Sequence, residues 1–238
     1  MSNEAPPLRV IVPMKPIANG KRRLAAGVPD PTREALAAMM LHHVVGTVTA
    51  ALGNGACWVI GGDAYVRRLA REAGGTWLDD HGADLNGTVL HGMLRAYEEG
   101  SAAALFLPAD LPMATPDDIH AIVAASDGLT RPVGVEATND GGTNALLIPA
   151  GLDVTPALGH RSYSRHRMAV ERAGSRLTPA PAFGLVFDLD EPDDLAYAKA
   201  NIPGFVAGLD HWEQRLLRDN DLVHPPPRWL AAEETTTP

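Results

Sequence analysis

Two short stretches place carboxylates where an apolar run stops. In "FLPADLPMATPDD" a strand-like run ends at Pro108 and Asp110 follows; in "FDLDEPDDL" Asp188 and Asp190 follow an apolar run from Leu185. An acid adds little to packing at the end of a buried strand. It is well placed to hold a hard divalent cation, or it simply starts a turn. Asp110 alone suits the turn. The second cluster changes that balance: strand alternation would set Asp188 and Asp190 on one face, so two strand ends would deliver acids to one edge. Such an edge suits Mg²⁺ held by carboxylates together with substrate phosphates. Asp193 and Asp194 instead suit the first turn of a following helix, as Asp117 and Asp118 do after Thr115-Pro116.

A third stretch supplies the opposite charge. "PMKPIANGKRRLA" follows the first strand directly and carries Lys15, Gly20, Lys21, Arg22 and Arg23. In an open parallel sheet ligands bind beyond the carboxyl ends of the strands. A loop there with one glycine and four cations could cradle phosphates, or it could be a solvated basic loop. Neither GxxxxGK[ST] nor GxGxxG is present. "NDGGTNALL" could present backbone N–H groups and the Thr143 hydroxyl to an anion, or be an ordinary hairpin turn. "ALGHRSYSRH", with Gly159, Arg161, Ser162 and His166, could be a second anion cradle entering a helix, or a basic helix face. Asn86 in "GADLNGTV" reads as an N-cap. His42 and His43 lie inside an apolar helix and suggest no zinc site.

The elements that must position these residues alternate through the first half. Leu8 to Met14, Cys57 to Ile60 and Ala102 to Leu107 read as strands. Thr32 to Leu52, Asp63 to Ala73, Asn86 to Glu99 and Asp117 to Ala125 read as helices. That alternation predicts an α/β fold, a mostly parallel central sheet with helices on both faces. Later come strands at Pro132 to Glu136, Ala145 to Pro149 and Leu185 to Phe187, and helices at Tyr163 to Ala173, Pro192 to Lys199 and His211 to Arg218. Pro225 to Pro227 and "EETTTP" read as a partly disordered tail. The division expected is a core domain over residues 1–202 and a C-terminal helical appendage over 203–238.

Composition sets limits. The 238 residues are 45% apolar and carry a net charge of −9, against general binding to nucleic acid or an anionic membrane. The one cysteine, Cys57, sits in an apolar run, so no disulfide forms within the chain, which fits a cytoplasmic protein. "MSNEAPPLR" has no signal-peptide core, and no run approaches the length needed to span a bilayer.

Taken together and in this order, "VPMKPIANGKRRLA", "DLNGTV", "LPADLPMATPDDI", "GGTNALL", "LGHRSYSRH" and "FDLDEPDDL" resemble the motifs of the 2-phospho-L-lactate guanylyltransferase family of coenzyme F420 biosynthesis. The resemblance runs over about residues 8 to 200. It implies a Rossmann-like nucleotidyltransferase fold and an enzyme that condenses GTP with a phosphorylated three-carbon acid, releasing pyrophosphate. The acid would be 2-phospho-L-lactate, phosphoenolpyruvate or 3-phospho-D-glycerate. By the same resemblance Asp110, Asp188 and Asp190 hold Mg²⁺, and Lys15 contacts the acid's phosphate. Lys21 and Arg23 take the triphosphate, Asn86 the guanosine, and Thr143, Gly159 and Ser162 the phospho-acid.

Two departures fall at the acid-binding end. The usual "GTGTN" is "DGGTN", with Gly142 for a threonine, and the usual "FG" is Leu158-Gly159, followed by His160-Arg161. They leave the acid open, and Arg161 could reach a carboxylate or hydroxyl of a more polar acid such as 3-phospho-D-glycerate. The competing readings are a nucleotidyltransferase for a sugar phosphate or molybdopterin, and a non-catalytic nucleotide-binding regulator. A first loop of the "LAGGxSxRMG" type, expected for molybdopterin, is absent. Trp212 and Trp229 could dock on the core or on a second subunit of a homodimer.

Overall fold

The structure, a computed structural model, describes residues 8–82, 84–219 and 223. Trp229, Pro225 to Pro227 and the terminal "EETTTP" lie outside the described residues, as does the segment before Leu8. Seven strands form one sheet: β1 (Leu8–Pro13), β2 (Cys57–Ile60), β3 (Thr76–Leu78), β4 (Ala103–Phe106), β5 (Val133–Glu136), β6 (Thr143–Pro149) and β7 (Thr178–Pro179). Their order across the sheet is β3-β2-β1-β4-β6-β5-β7. Every pairing is parallel except those of β6, which runs against both β4 and β5.

Alternation along the strands sends side chains into two cores. Val10, Val12, Val59, Leu105 and Leu147 face one side. There they meet α1 (Asp30–Leu52), α2 (Ala64–Glu72), α4 (Pro116–Ala125), α6 (Pro192–Asn201) and α7 (Phe205–Arg218). Ile11, Trp58, Ile60, Phe106, Leu146 and Ile148 face the other, under α3 (Leu85–Glu98) and α5 (Ser162–Arg172). A strand buried on both faces must be apolar throughout, which is why β1, β2 and β4 read as continuous apolar runs. The mostly parallel sheet with helices on both faces is as expected.

Four expectations change. The predicted strand at Leu185 to Phe187 does not form; Phe183–Leu185 is a 3₁₀ turn. Its neighbours' backbone groups go singly to loops: Gly184 N–H donates to the Asp118 carboxylate, the Val186 carbonyl accepts from Thr138, and Leu189 N–H donates to the Asp110 carbonyl. With those groups engaged, no ladder can run along the segment. The sheet continues instead through the two-residue β7, and β3 is a further strand that the apolar pattern missed because it is too short. The N-cap of α3 is Asp84, whose carboxylate accepts from Gly87 N–H at 2.8 Å, not Asn86. Finally, α1 has 23 residues and is long and apolar enough to cross a bilayer by composition. Its Leu36, Leu41, Val45 and Val48 are wholly buried, as a core helix requires.

The helix α7 shares this core. Phe205, Leu209, Trp212 and Leu216 bury one face, Trp212 stands 5.3 Å from the His42 ring, and Arg215 lies 4.6 Å over the Trp212 ring. Tyr65 on α2 donates its hydroxyl to Asp219 at 3.1 Å, closing the end of the helix. Trp212→Ala should therefore lower the unfolding free energy by about 3 kcal/mol. Urea unfolding followed by far-UV circular dichroism measures this, and an unchanged midpoint would separate α7 from the core.

Candidate active site

The loop after β1 is shaped by packing before it meets any ligand. Pro13 ends the strand, and Ile17 is fully buried as an anchor. A Cβ on Gly20 would come 2.9 Å from the Ala37 methyl on α1, so this glycine is required by close approach to a helix. Arg33 then donates to the Gly20 carbonyl at 3.1 Å. The next residue, Lys21, takes a left-handed backbone (φ 48°, ψ 42°), costing about 1 kcal/mol for a non-glycine residue.

That backbone turn drives the Lys21 ammonium inward. It donates to Asp110 at 2.8 Å, to Asp190 at 3.1 Å and to the Leu189 carbonyl. Burial opposes the charge, but the two carboxylates outweigh it and hold the lysine pKa above its ordinary value. Asp190 also accepts from Arg23 at 3.0 Å, so both of its oxygens are engaged by cations. The segments carrying the acids are tied through their backbones by the Leu189 N–H to Asp110 carbonyl bond of 3.1 Å. Strand alternation, the sequence argument for pairing Asp188 with Asp190, does not operate here, because no strand is present. Asp190 faces Lys21, whereas Asp188 accepts from the Asn144 amide at 3.2 Å.

Lys21, Arg23, Asp110 and Asp190 border a cavity of about 770 Å³, which Asp188 and Asn144 do not line. Lys15, Lys21, Arg22, Arg23, Asp110 and Asp190 line one side, and Asp80, Gly82, Asp84, Leu85 and Thr88 the other. Asp80 accepts from Gly82 N–H at 2.8 Å and from the Thr88 hydroxyl, fixing the loop that leads into α3. Residue 82 must be glycine: a Cβ there would lie 2.2 Å from the Thr88 nitrogen. Asn86 does not line this cavity. Its side-chain oxygen accepts from Leu158 N–H at 2.7 Å and joins α3 to the loop carrying Gly159.

The polar residues of β6 reach the same edge because the strand is antiparallel. Phe106, the last residue of β4, pairs with Leu146, so Thr143 and Asn144 lie at the end of the sheet from which Pro108 to Asp110 emerge. Alternation sends the two side chains to opposite faces. Asn144 holds Asp188, while Thr143 meets Ser162 at 2.9 Å and His166 Nδ1 at 2.9 Å. Ser162 and His166 are fully buried. Gly159 (φ 111°) and Arg161 (φ 52°) bend the loop into the start of α5. Arg161 N–H donates to the Asp140 carbonyl at 3.2 Å, fixing that loop to the β5–β6 turn. In that turn Gly142 N–H donates to the Asp140 side chain at 2.6 Å. Arg161, Glu136 and Asp140 border an open cleft of about 420 Å³.

Burial pushes the Asp188 pKa up, and the negative charges of Asp110 and Asp190 add to the rise against the Asn144 hydrogen bond. One oxygen of Asp110, Oδ1, is buried with no hydrogen-bond partner among the described residues. A crowded carboxylate and an orphaned buried oxygen side by side fit a divalent cation. Among the described residues no three His, Cys, Asp or Glu side chains converge on a ready-made metal cage. A cation held there would take carboxylates from the protein and its remaining ligands from phosphates and water.

Sequence reasoning thus located most of these residues but missed two anchors. Asn144 positions Asp188, and Asp80 sets the far wall; Asn144 was legible as the neighbour of Thr143 at a strand start. Asp80 gave no signal, because its partner Thr88 lies within a helix.

Comparison with known proteins adds to this geometry. The profile of the family described as "Guanylyl transferase CofC like" matches residues 8–199. A phosphoenolpyruvate guanylyltransferase of Rubrobacter xylanophilus is 36% identical over 194 residues, covering 80% of this chain and 93% of that protein. A 3-phospho-D-glycerate guanylyltransferase of Phenylobacterium zucineum is 34% identical over 181 residues, covering 73% of this chain and 81% of the relative. A solved nucleotidyl transferase from Methanothermobacter shares the fold at a TM-score of 0.57 and 16% identity, over 84% of this chain and 98% of its own.

His166 gives this site a signature in acid. Burial, helped by the nearby Arg165 charge, pushes its pKa down from 6.5 to about 4. As pH falls through that window the unfolded chain takes up a proton at this ring and the folded protein does not. Stability is lost over the interval and levels off below it. Chemical unfolding at pH 7 and pH 4.5 should show the wild type losing on the order of 2 kcal/mol more than His166→Asn. Equal losses would mean that the ring is not held neutral.

Proposed function

Because the chain belongs to the CofC-like guanylyl transferase family, we propose that it is a guanylyltransferase that joins GTP to a phosphorylated three-carbon acid. The product is a guanosine diphospho-linked acid, and pyrophosphate leaves; the family's pathway is coenzyme F420 biosynthesis. The relatives' names support phosphoenolpyruvate or 3-phospho-D-glycerate as the acid, with 2-phospho-L-lactate as a third candidate. The exposed Arg161 beside the open cleft is the feature that favours a more polar acid. The observation that carries the reading is the cluster of Lys21, Asp110, Asp190 and the unpartnered Asp110 Oδ1 on the wall of a nucleotide-sized cavity.

In the proposed reaction an oxygen of the acid's phosphate attacks the α-phosphorus of GTP. The bond from that phosphorus to the bridging oxygen of the β-phosphate breaks. No covalent enzyme intermediate is needed, so catalysis is alignment and charge neutralisation. Lys15, exposed on the cavity wall, meets the acid's phosphate. Lys21 and Arg23 neutralise the triphosphate, exchanging their contacts with Asp190 for phosphate oxygens. Asp110, Asp188 and Asp190 would hold Mg²⁺. Bound there, Mg²⁺ would withdraw charge from the phosphates and bring the leaving group into line. Asn86, the residue the resemblance gives to the guanosine, fixes the loop that carries Gly159, and Thr143, Gly159 and Ser162 take the phospho-acid. The unit over residues 1–202 carries these groups; the segment after it adds packing through α7. GTP and the phospho-acids, like the single buried thiol of Cys57, suit the cytoplasm, and a homodimer is the assembly we propose.

Purified protein supplied with GTP, Mg²⁺ and each acid separately should release pyrophosphate with at least one of the three. Turnover with none overturns the reading, and a preference for ATP or CTP overturns the base. Asp110→Asn should lower kcat by roughly a thousandfold, equivalent to about 4 kcal/mol in the barrier. Its circular dichroism spectrum should be unchanged, and near-normal turnover in this variant refutes the metal role.

A further inference from the structure

His166 is fully buried, makes no ion pair among the described residues, and bridges two groups of fixed chemistry. Its Nε2 lies 2.8 Å from the Ala157 backbone nitrogen, which can only donate. That nitrogen of the ring must therefore carry a lone pair. With the ring neutral, the proton sits on Nδ1, 2.9 Å from Thr143 Oγ1, and Thr143 accepts it.

This polarity constrains the next bond. Thr143 and Ser162 have one hydroxyl hydrogen each, and their oxygens are 2.9 Å apart. One hydrogen is used between them, whichever residue donates. Thr143 is spared from donating to the ring, so the other hydrogen is left without a protein acceptor among the described residues. With the opposite tautomer Thr143 would have to donate to Nδ1 and Ser162 to Thr143, and no hydrogen would remain. We propose that His166 is a positioning residue that fixes the Thr143–Ser162 hydroxyl pair as a one-hydrogen donor to an anionic oxygen of the phospho-acid substrate. Ser162 is the first residue of the eleven-residue α5, whose dipole favours an anion at the same point. The neutral ring adds a directed donor there without adding a charge. The backbone amide of Ala157 sets the direction of the relay, and the Asn86 bond to the next amide, Leu158, holds that loop in place.

This inference rests on the phospho-acid site proposed above, and its test separates the two. His166→Leu removes the donor, whereas His166→Asn carries an amide nitrogen at about the same remove from the backbone as Nδ1. Calorimetric titration with each phospho-acid in the absence of GTP gives Kd, and steady-state assays give KM for acid and for GTP separately. His166→Leu should weaken acid binding and raise the acid KM about 10- to 100-fold while leaving the GTP KM unchanged, and His166→Asn should restore most of that loss. Unchanged acid affinity in the leucine variant overturns the proposal. So does equal loss of both substrates with no rescue by asparagine, which is the behaviour of a purely structural residue. If the leucine variant does not fold, ¹⁵N imidazole spectra of the wild type decide: a neutral ring protonated on Nδ1 supports the relay, and protonation on Nε2 overturns it. Wild-type protein that binds a phospho-acid but transfers no guanylyl group overturns the proposed reaction alone, and the calorimetric comparison still decides His166.

Discussion

The buried ammonium of Lys21 is the contact on which the site depends. It joins the loop after β1 to Asp110 after β4 and to the Leu189–Asp190 stretch, segments distant in the chain. None of these charges could be buried alone, because an unpaired ion in a protein interior costs several kcal/mol. Grouped, they neutralise one another and fix three loops that have no ladder hydrogen bonds of their own to one another, apart from the single Leu189–Asp110 backbone bond. The arrangement is also charged for exchange. Asp110 keeps one oxygen unpartnered, and Asp188 is crowded by its two neighbours. The protein by itself leaves this corner with more negative charge than one lysine can offset.

A second constraint is the direction of β6. Were it parallel like its neighbours, Thr143 and Asn144 would start at the opposite end of the sheet from Asp110. Running antiparallel to β4, it brings its polar first residues to the ligand edge and sends its apolar remainder into both cores. One strand start then serves two purposes: Asn144 orients an acid on one face, and Thr143 enters the His166–Ser162 relay on the other. The glycines nearby answer to the same geometry. Gly142, where the family usually has a threonine, donates its N–H to the Asp140 side chain.

Much of this was legible beforehand. The apolar runs at Leu8, Cys57 and Ala103 announced strands buried on both sides, and Gly and Pro marked their ends. Thr115 caps α4 and Asp117, Asp118, Asp193 and Asp194 lie in first helical turns, as their places before a helical period suggested. What misled was local pattern without a partner. "LVFD" has the apolar character of a strand, yet its Val186 carbonyl goes to Thr138, and the backbone on either side of it, at Gly184 and Leu189, is held by Asp118 and Asp110. Asn86 is a good cap by type, but Asp84 lies two residues earlier, and Asn86 was left free to reach Leu158.

The sequence by itself determined the residue types and the order of the motifs: cations after the first strand, acids near two later segment ends, and a Thr, Ser and His set in the second half. Those are properties of composition and near-neighbour spacing, and they are enough to name a family. Only the tertiary structure decided which acid faces which cation, that Asp190 meets Lys21 and Arg23 while Asp188 meets Asn144, and that the histidine ring is held in one tautomer. Each of those depends on the direction of a hydrogen bond between residues that are not neighbours in the chain. Direction arises only when the sheet and its helices have fixed where each backbone donor points.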